Sequence, residues 1–187
     1  MKKLNLGAGD IKLNGFDNWD IEYSNWKFED GLKGYDDNTV DAITISHALM
    51  YVDEEDYKDV FAEFFRVLRP GGVIRITEDA TDNPQSDRFG GYEGHKTLTS
   101  KNMMRRHLSV AGFIPIDQTA DQSVFKDNSL IQNYHGGEPK VFFIEGMKNI
   151  MKFRESALAH KYLDNLWWIE NGGSSHNDYN LPHCINI

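Results

Sequence analysis

Apolar residues along this chain fall into two kinds of run. Val40–Ser46 (VDAITIS) and residues 73–77 (VIRIT) are short, β-branched and continuous, the pattern of strands buried in a parallel sheet. Tyr57, Phe61, Phe64 or Phe65, and Leu68 recur at helical spacing, which predicts an amphipathic helix. Asp53 is the expected cap of that helix, with Glu54, Glu55 and Asp56 favourable in its first turn, and Pro70-Gly71-Gly72 ends it. Lys3–Leu6 reads as the first strand, residues 10–16 as a polar loop or single helical turn, and residues 18–21 as the second strand. Residues 26–30 read as a third strand, and residues 35–39 (YDDNT) as a turn. Further along, residues 83–96 are polar and glycine-rich, a loop over the expected site. Ser100 can cap a helix over Lys101–Ala111 that Gly112 stops. Residues 113–117 and 141–146 predict a closing antiparallel pair, joined through the long polar connection 118–140. Strands and helices alternate, so the expected fold is α/β: a three-layer, Rossmann-like, mostly parallel sheet with helices on both faces and a C-terminal antiparallel strand.

Composition narrows the functional classes. The 187 residues suffice for one domain with a real core, and the apolar (40%) and charged (26%) fractions are those of a globular protein. The formal charge of −9 argues against nucleic acid or an anionic membrane as the main partner, since both need a basic footprint. Lys101, Arg105 and Arg106 cluster on one helix and read as a solvated face. No apolar run approaches a membrane span, and Asn5, Gly7, Gly9 and Asp10 interrupt any signal-peptide core, so the expected location is the cytoplasm. Cys184 stands alone, which excludes an intrachain disulfide and a cysteine-based zinc cluster.

The chemistry begins at LNLGAGD, residues 4–10. A strand running into Gly7 and Gly9 lets a ligand approach the backbone closely. Asp20, at the end of the next strand, is placed to accept hydrogen bonds from two ribose hydroxyls. Together these residues point to a nucleoside-containing cofactor at the carboxyl ends of parallel strands. An NAD-type cofactor is disfavoured, because Lys12 and Leu13 stand where a third glycine would continue the fingerprint and Asp20 comes too soon after the glycines.

LNLGAGD, NWDI, YDDNTVDAITISHAL and FRVLRPGGVIRIT stand in one order over residues 3–148. In that order they resemble class I S-adenosylmethionine-dependent methyltransferases, and in particular a small group with a shortened first helix often linked to surface-glycan synthesis. The resemblance implies S-adenosylmethionine as cofactor and methyl transfer to a small-molecule or glycan-like acceptor, at oxygen. It implies that Gly7 and Gly9, flanked by Leu6 and Ala8, line the methionine and ribose side of the cofactor, and that Asp20 takes the ribose hydroxyls. Asp30, next to Gly31, would face the adenine amino group, while Ile21 and Leu32 pack on the adenine faces. Ser46 and His47 would border the sulfonium methyl, with His47 and His95 as candidate bases; His95 resembles a histidine found ahead of the second-last helix. The group often carries H-x-L-E-H after the fourth strand, where this chain reads His47-Ala48-Leu49-Met50-Tyr51. A hydroxyl acceptor calls for a general base, and histidine titrates near working pH. A divalent metal held by His47 and His95 with Glu78 or Asp79 is a lesser alternative to a metal-free site, and no metal is expected.

Past residue 148 the composition changes. Residues 153–168 read as another helix, and Ile169 to Ser174 echo the first strand and its glycine turn. The expected organisation is a cofactor-binding domain over residues 1–150. Residues 151–187 then form a helix and tail that resemble the start of a second methyltransferase-like unit. Trp167 and Trp168 call for burial, on the first domain or against another copy in a homo-oligomer. Two other functions stay open: a non-catalytic cofactor-binding or scaffold domain of a tandem protein, and an NAD-binding enzyme.

Overall fold

A computed structural model describes residues 1–80, 94–116 and 141–149. The connection 117–140, most of the loop 83–96, and residues 150–187, which carry the expected second unit, lie outside the described residues. Six strands form one sheet: β1 (Lys3–Leu6), β2 (Asp17–Trp19), β3 (Val40–Ser46), β4 (Leu68–Asp79), β5 (Phe113–Ile116) and β6 (Val141–Lys148). Their spatial order is β2-β1-β3-β4-β6-β5. β2, β1, β3 and β4 pair in parallel, and β6 runs antiparallel between β4 and β5. This is the mostly parallel Rossmann-like sheet, with its closing antiparallel strand, that the residue pattern predicts.

Register explains how the core forms. Leu4, Ile43 and Ile74 make one row across β1, β3 and β4; Leu6, Ile45, Ile76 and Ile144 make the next. Onto these rows pack α2 (Tyr57–Val67), through Tyr57, Val60, Phe61, Phe64 and Val67, and α3 (Lys101–Ala111), through Met104 and Leu108. Each such side chain contributes about 1.5–3 kcal/mol on burial. The helical spacing left Phe64 and Phe65 as alternatives. Phe64 is the core residue, and Phe65 turns aside to meet Phe113 edge-on at 5.1 Å. The opposite sheet face carries Asn5, Thr44, Arg75 and Glu145 in a single row. There the Asn5 amide donates to Ile11 O and Asn18 Oδ1, anchoring the loop that leaves β1.

Four expectations change in the structure. The second strand ends at Trp19, because the Asp20 side chain accepts from Glu22 N–H and caps a short helix, α1 (Ile21–Ser24). Residues 26–30 make no strand. Their backbone groups close on themselves, with Asp30 N–H reaching Lys27 O and Lys27 N–H reaching Asp30 Oδ2, giving a 3₁₀ turn over Phe28–Asp30. Asp53 makes no side-chain cap; its carboxylate pairs with Lys96 at 2.7 Å. Finally, α2 stops at Val67 and pairing in β4 begins at Leu68, so Pro70-Gly71-Gly72 lies at the register shift between the Val40 and Ala42 partners. The end of α2 is closed from a distant strand: Lys148 Nζ donates to Phe65 O, Leu68 O and Asn38 Oδ1.

Candidate active site

The chain leaves β1 toward β2 on one side, and β3 returns to pair on the other side of β1. Such a reversal opens a crevice at the carboxyl ends of the strands. A cavity of about 680 Å³ occupies it, within the range of roughly 300–1,000 Å³ usual for small-molecule sites. One wall is the loop after β1, the other the turn after β3.

The first wall is built from backbone. Gly7 and Ala8 N–H both donate to Trp19 O, at 2.9 and 3.1 Å, and Gly9 N–H donates to Asp20 Oδ2 at 2.9 Å. Gly7 and Gly9 both adopt left-handed backbone, φ 67° and 48°, which glycine accepts without steric cost. Their surroundings differ. A Cβ on Gly9 would meet nothing within 4 Å, so this glycine presents open backbone to the cavity. A Cβ on Gly7 would stand 2.3 Å from the Ala48 Cβ, so Gly7 also lets the two walls meet. Asp20 holds Gly9 N–H on one oxygen and Glu22 N–H on the other. A carboxylate has about four acceptor positions, so two remain for ligand hydroxyls.

The second wall carries the titratable chemistry. His47 follows β3 with φ 52°, uncommon for a residue other than glycine and costing on the order of 1–3 kcal/mol unless its surroundings impose it. Its N–H donates to Thr77 O at 2.8 Å. The ring lies between two groups: Nδ1 is 3.0 Å from Ser46 Oγ, and Nε2 is 3.6 Å from the buried Asp79 carboxylate. A 3₁₀ turn over Leu49–Tyr51 follows, fixed by Tyr57 Oη donating to Leu49 O and by Thr97 Oγ1 donating to Val52 O. Glu78, wholly buried behind this turn, has its carboxyl pushed up to about 8 by burial, with the neighbouring Asp79 charge adding to the effect and hydrogen bonds from Leu49 and Ala48 N–H opposing it.

The structure brings together Gly7, Ala8, Gly9, Asp20, Ile21, Ser46 and His47 on this cavity. Ile21, 53% exposed, offers an apolar face there. Four expected cofactor contacts do not line it. Leu6 and Leu32 are core residues, 0% and 2% exposed. Gly31 packs against the Glu63 side chain, and the Asp30 carboxylate is committed to Lys27 N–H. Because residues 26–30 coil rather than extend, Trp26, Lys27, Phe28 and Glu29 reach the cavity instead. His95 also stands off the lining; its ring packs edge-on against Tyr51 at 4.8 Å, and Tyr51 is the residue that borders the cavity. His47 therefore meets Asp79, not His95, and among the described residues no cluster of three metal-ligating side chains forms. Tyr51, Gly94 and Lys96 complete the far end. The polar loop that the sequence places over the site gave a signal for Gly94 and Lys96; nothing in the residue pattern marked Trp26 to Glu29.

Comparison with known proteins fits this geometry. Residues 9–76 match the methyltransferase domain family. The fold is similar to solved S-adenosylmethionine-dependent methyltransferases. One, from Archaeoglobus fulgidus, is 14% identical with a TM-score of 0.55 over 79% of this chain and 86% of its own. Another, from Mesorhizobium loti, is 12% identical with a TM-score of 0.54 over 79% and 90%. A third, from Methanosarcina mazei, is 13% identical with a TM-score of 0.54 over 79% and 92%. No curated protein matches significantly. The match covers residues 9–76, and the likeness to these structures is one of fold. S-adenosylmethionine is the cofactor named for those solved structures, and the residues lining this cavity fit it: open backbone at Gly9, free acceptor positions on Asp20, and acidic side chains at Asp10, Glu22 and Glu29 around a ligand that carries a sulfonium charge. No helix among the described residues is long and apolar enough to cross a membrane.

Proposed function

We propose that this chain is an S-adenosylmethionine-dependent methyltransferase that moves a methyl group to a hydroxyl of a small-molecule or glycan-like acceptor, with His47 as general base. One observation carries the reading: Gly9, Asp20 and His47 line a single cavity at the strand reversal. S-adenosylmethionine, when bound, supplies the activated methyl; the chain supplies orientation and the proton's destination. Gly9 and Asp20 hold the nucleoside side. On the other wall, the Asp79 carboxylate favours a proton on His47 Nε2, which leaves Nδ1 as the acceptor on the side of Ser46 Oγ. An acceptor hydroxyl seated beside Ser46 gives its proton to Nδ1 as its oxygen attacks, directly or through the Ser46 hydroxyl. The imidazolium that results stands 3.6 Å from the Asp79 carboxylate. Beyond His47 the cavity continues to Tyr51 and Lys96, a wall with one aromatic face and polar neighbours suited to a hydroxylated acceptor.

Calorimetric titration with S-adenosylmethionine, S-adenosylhomocysteine and NAD tests the cofactor, and a panel of hydroxylated acceptors tests the transfer. The first two ligands should bind and NAD should not. His47→Ala should lower turnover by roughly a hundredfold or more while leaving cofactor affinity within a few-fold. Wild-type turnover in that variant removes His47 as the base. Cofactor binding with no transfer to any acceptor favours the scaffold function.

A further inference from the structure

Glu78 is 0% exposed, does not border the cavity, and takes no part in the proton transfer above. Its Oε1 accepts from Ala48 N–H at 3.0 Å and Leu49 N–H at 2.8 Å, while Oε2 is buried with no hydrogen-bond partner among the described residues. A carboxyl group so placed is costly, and an apolar side chain would fill the same volume without that cost. Its contacts indicate what it does. Thr77, Glu78 and Asp79 are consecutive at the end of β4, and all three grip the turn after β3. Thr77 O takes His47 N–H, Glu78 takes the next two amides, and Asp79 faces the His47 ring. Side chains alternate across a strand, so Glu78 and Asp79 reach the same turn from opposite faces of the sheet. Between them sits a non-glycine residue in left-handed backbone, a conformation that persists only where neighbours over-determine it.

We propose that Glu78 is a positioning residue: its carboxyl oxygen holds the Ala48 and Leu49 amides, locks His47 in left-handed backbone, and so keeps Nε2 toward Asp79 and Nδ1 toward Ser46. The inference rests on His47 being the base of the proposed reaction. Without the Oε1 acceptor, two buried N–H groups lose their partner and the turn re-forms around another arrangement, taking the ring with it. Tyr57 Oη on Leu49 O fixes the far side of the turn.

The experiment compares His47 ring ¹⁵N shifts in the full chain of the wild type, Glu78→Leu and Glu78→Gln, alongside kcat and the Kd for S-adenosylmethionine. The wild type should show the single Nε2–H tautomer. Glu78→Leu should show mixed tautomers and a kcat lower by roughly ten- to a hundredfold, with Kd within about threefold. Glu78→Gln keeps an acceptor oxygen at the same reach, and should restore both the tautomer and most of the lost turnover. If Glu78→Leu does not fold by circular dichroism, Glu78→Asp replaces it, since the shortened side chain withdraws the acceptor while keeping a carboxyl. A single Nε2–H tautomer in a folded Leu or Asp variant overturns the proposal. So does a Gln variant that loses the tautomer as fully as Leu. Should His47→Ala retain wild-type turnover, the base assignment fails on its own, and the ring spectra still decide the role of Glu78.

Discussion

Single residues on this cavity carry more than one task, and Asp20 shows it most plainly. Read from the sequence, it is an acidic residue awaiting ribose hydroxyls. In the structure it also caps α1 through Glu22 N–H and ties down Gly9 N–H, so the ligand-facing group is part of the loop that shapes the cavity. Asp20→Ala should therefore cost about 0.5–2 kcal/mol of stability through the lost cap, in addition to weakening S-adenosylmethionine binding by tenfold or more. Asp20→Asn retains one acceptor oxygen and should keep most of the stability while still losing affinity. Thermal denaturation without cofactor, set beside calorimetry with it, separates the two tasks. An Ala variant with unchanged melting temperature would show that the cap carries no weight, and one with unchanged affinity would remove Asp20 from the ribose side. Gly7 carries two tasks in the same way: sequence marks it as a ligand-approach glycine, yet its tightest restraint is the Ala48 methyl of the opposite wall.

At the scale of elements, legibility followed how each element satisfies its backbone. β1, β3, the later part of β4, α2 and α3 declared themselves because burial dictates their pattern: β-branched runs for strands, helical spacing for α2, and a Ser100–Gly112 frame for α3. The Ser100 hydroxyl does accept from Met103 N–H, and Gly112 closes α3 at φ 102°. The stretch 26–30 misled because Trp26 and Phe28 look like strand residues. Both are buried, joining an aromatic chain with Phe64, but the backbone beneath them pairs with the Asp30 side chain rather than with a neighbouring strand. The end of α2 was legible as a position but not as a mechanism. Pro70-Gly71-Gly72 announces that a helix stops; only the fold reveals that an ammonium 80 residues downstream of Leu68 satisfies its last carbonyls. Burial holds that Lys148 ammonium below the ordinary lysine range, the cost of placing a charge there, and the three oxygens offset it. Lys148→Met retains the apolar stem and removes the donors. The variant should lose about 2–3 kcal/mol in chemical denaturation, with hydrogen-exchange protection falling first at the last turn of α2. A loss below about 0.5 kcal/mol would show that water replaces the ammonium there.

Across the whole molecule, stability should respond to pH through two carboxyls, one half-buried and one fully buried, that pull in opposite directions. Glu63, hydrogen-bonded to Arg66, is held below the usual glutamate value, so its contribution is present at neutral pH and is lost only as pH falls into the acid range. Glu78 works the other way. Its folded value of about 8 lies above the ordinary 4.5, so between those limits the folded chain holds a proton that the unfolded chain has released. The unfolded state then binds fewer protons, and stability falls as pH rises through that window, by about 3 kcal/mol on reaching pH 7. Below pH 4.5 both states are protonated and the term vanishes. Glutamine does not titrate, so Glu78→Gln removes this slope. It also introduces a constant offset, from burying an amide nitrogen where Oε2 lacks a partner among the described residues. Plotted as the difference between variant and wild type, unfolding free energy should be flat below about pH 4.5, rise in favour of glutamine up to about pH 8, and level off above it. Titrating groups far from Glu78, common to both chains, cancel in that difference, whereas the adjacent Asp79 is coupled to it and contributes to the same slope. Parallel curves would mean that the Glu78 carboxyl titrates at its ordinary value, and that the folded chain meets its charge with more than the two amides of the His47 turn.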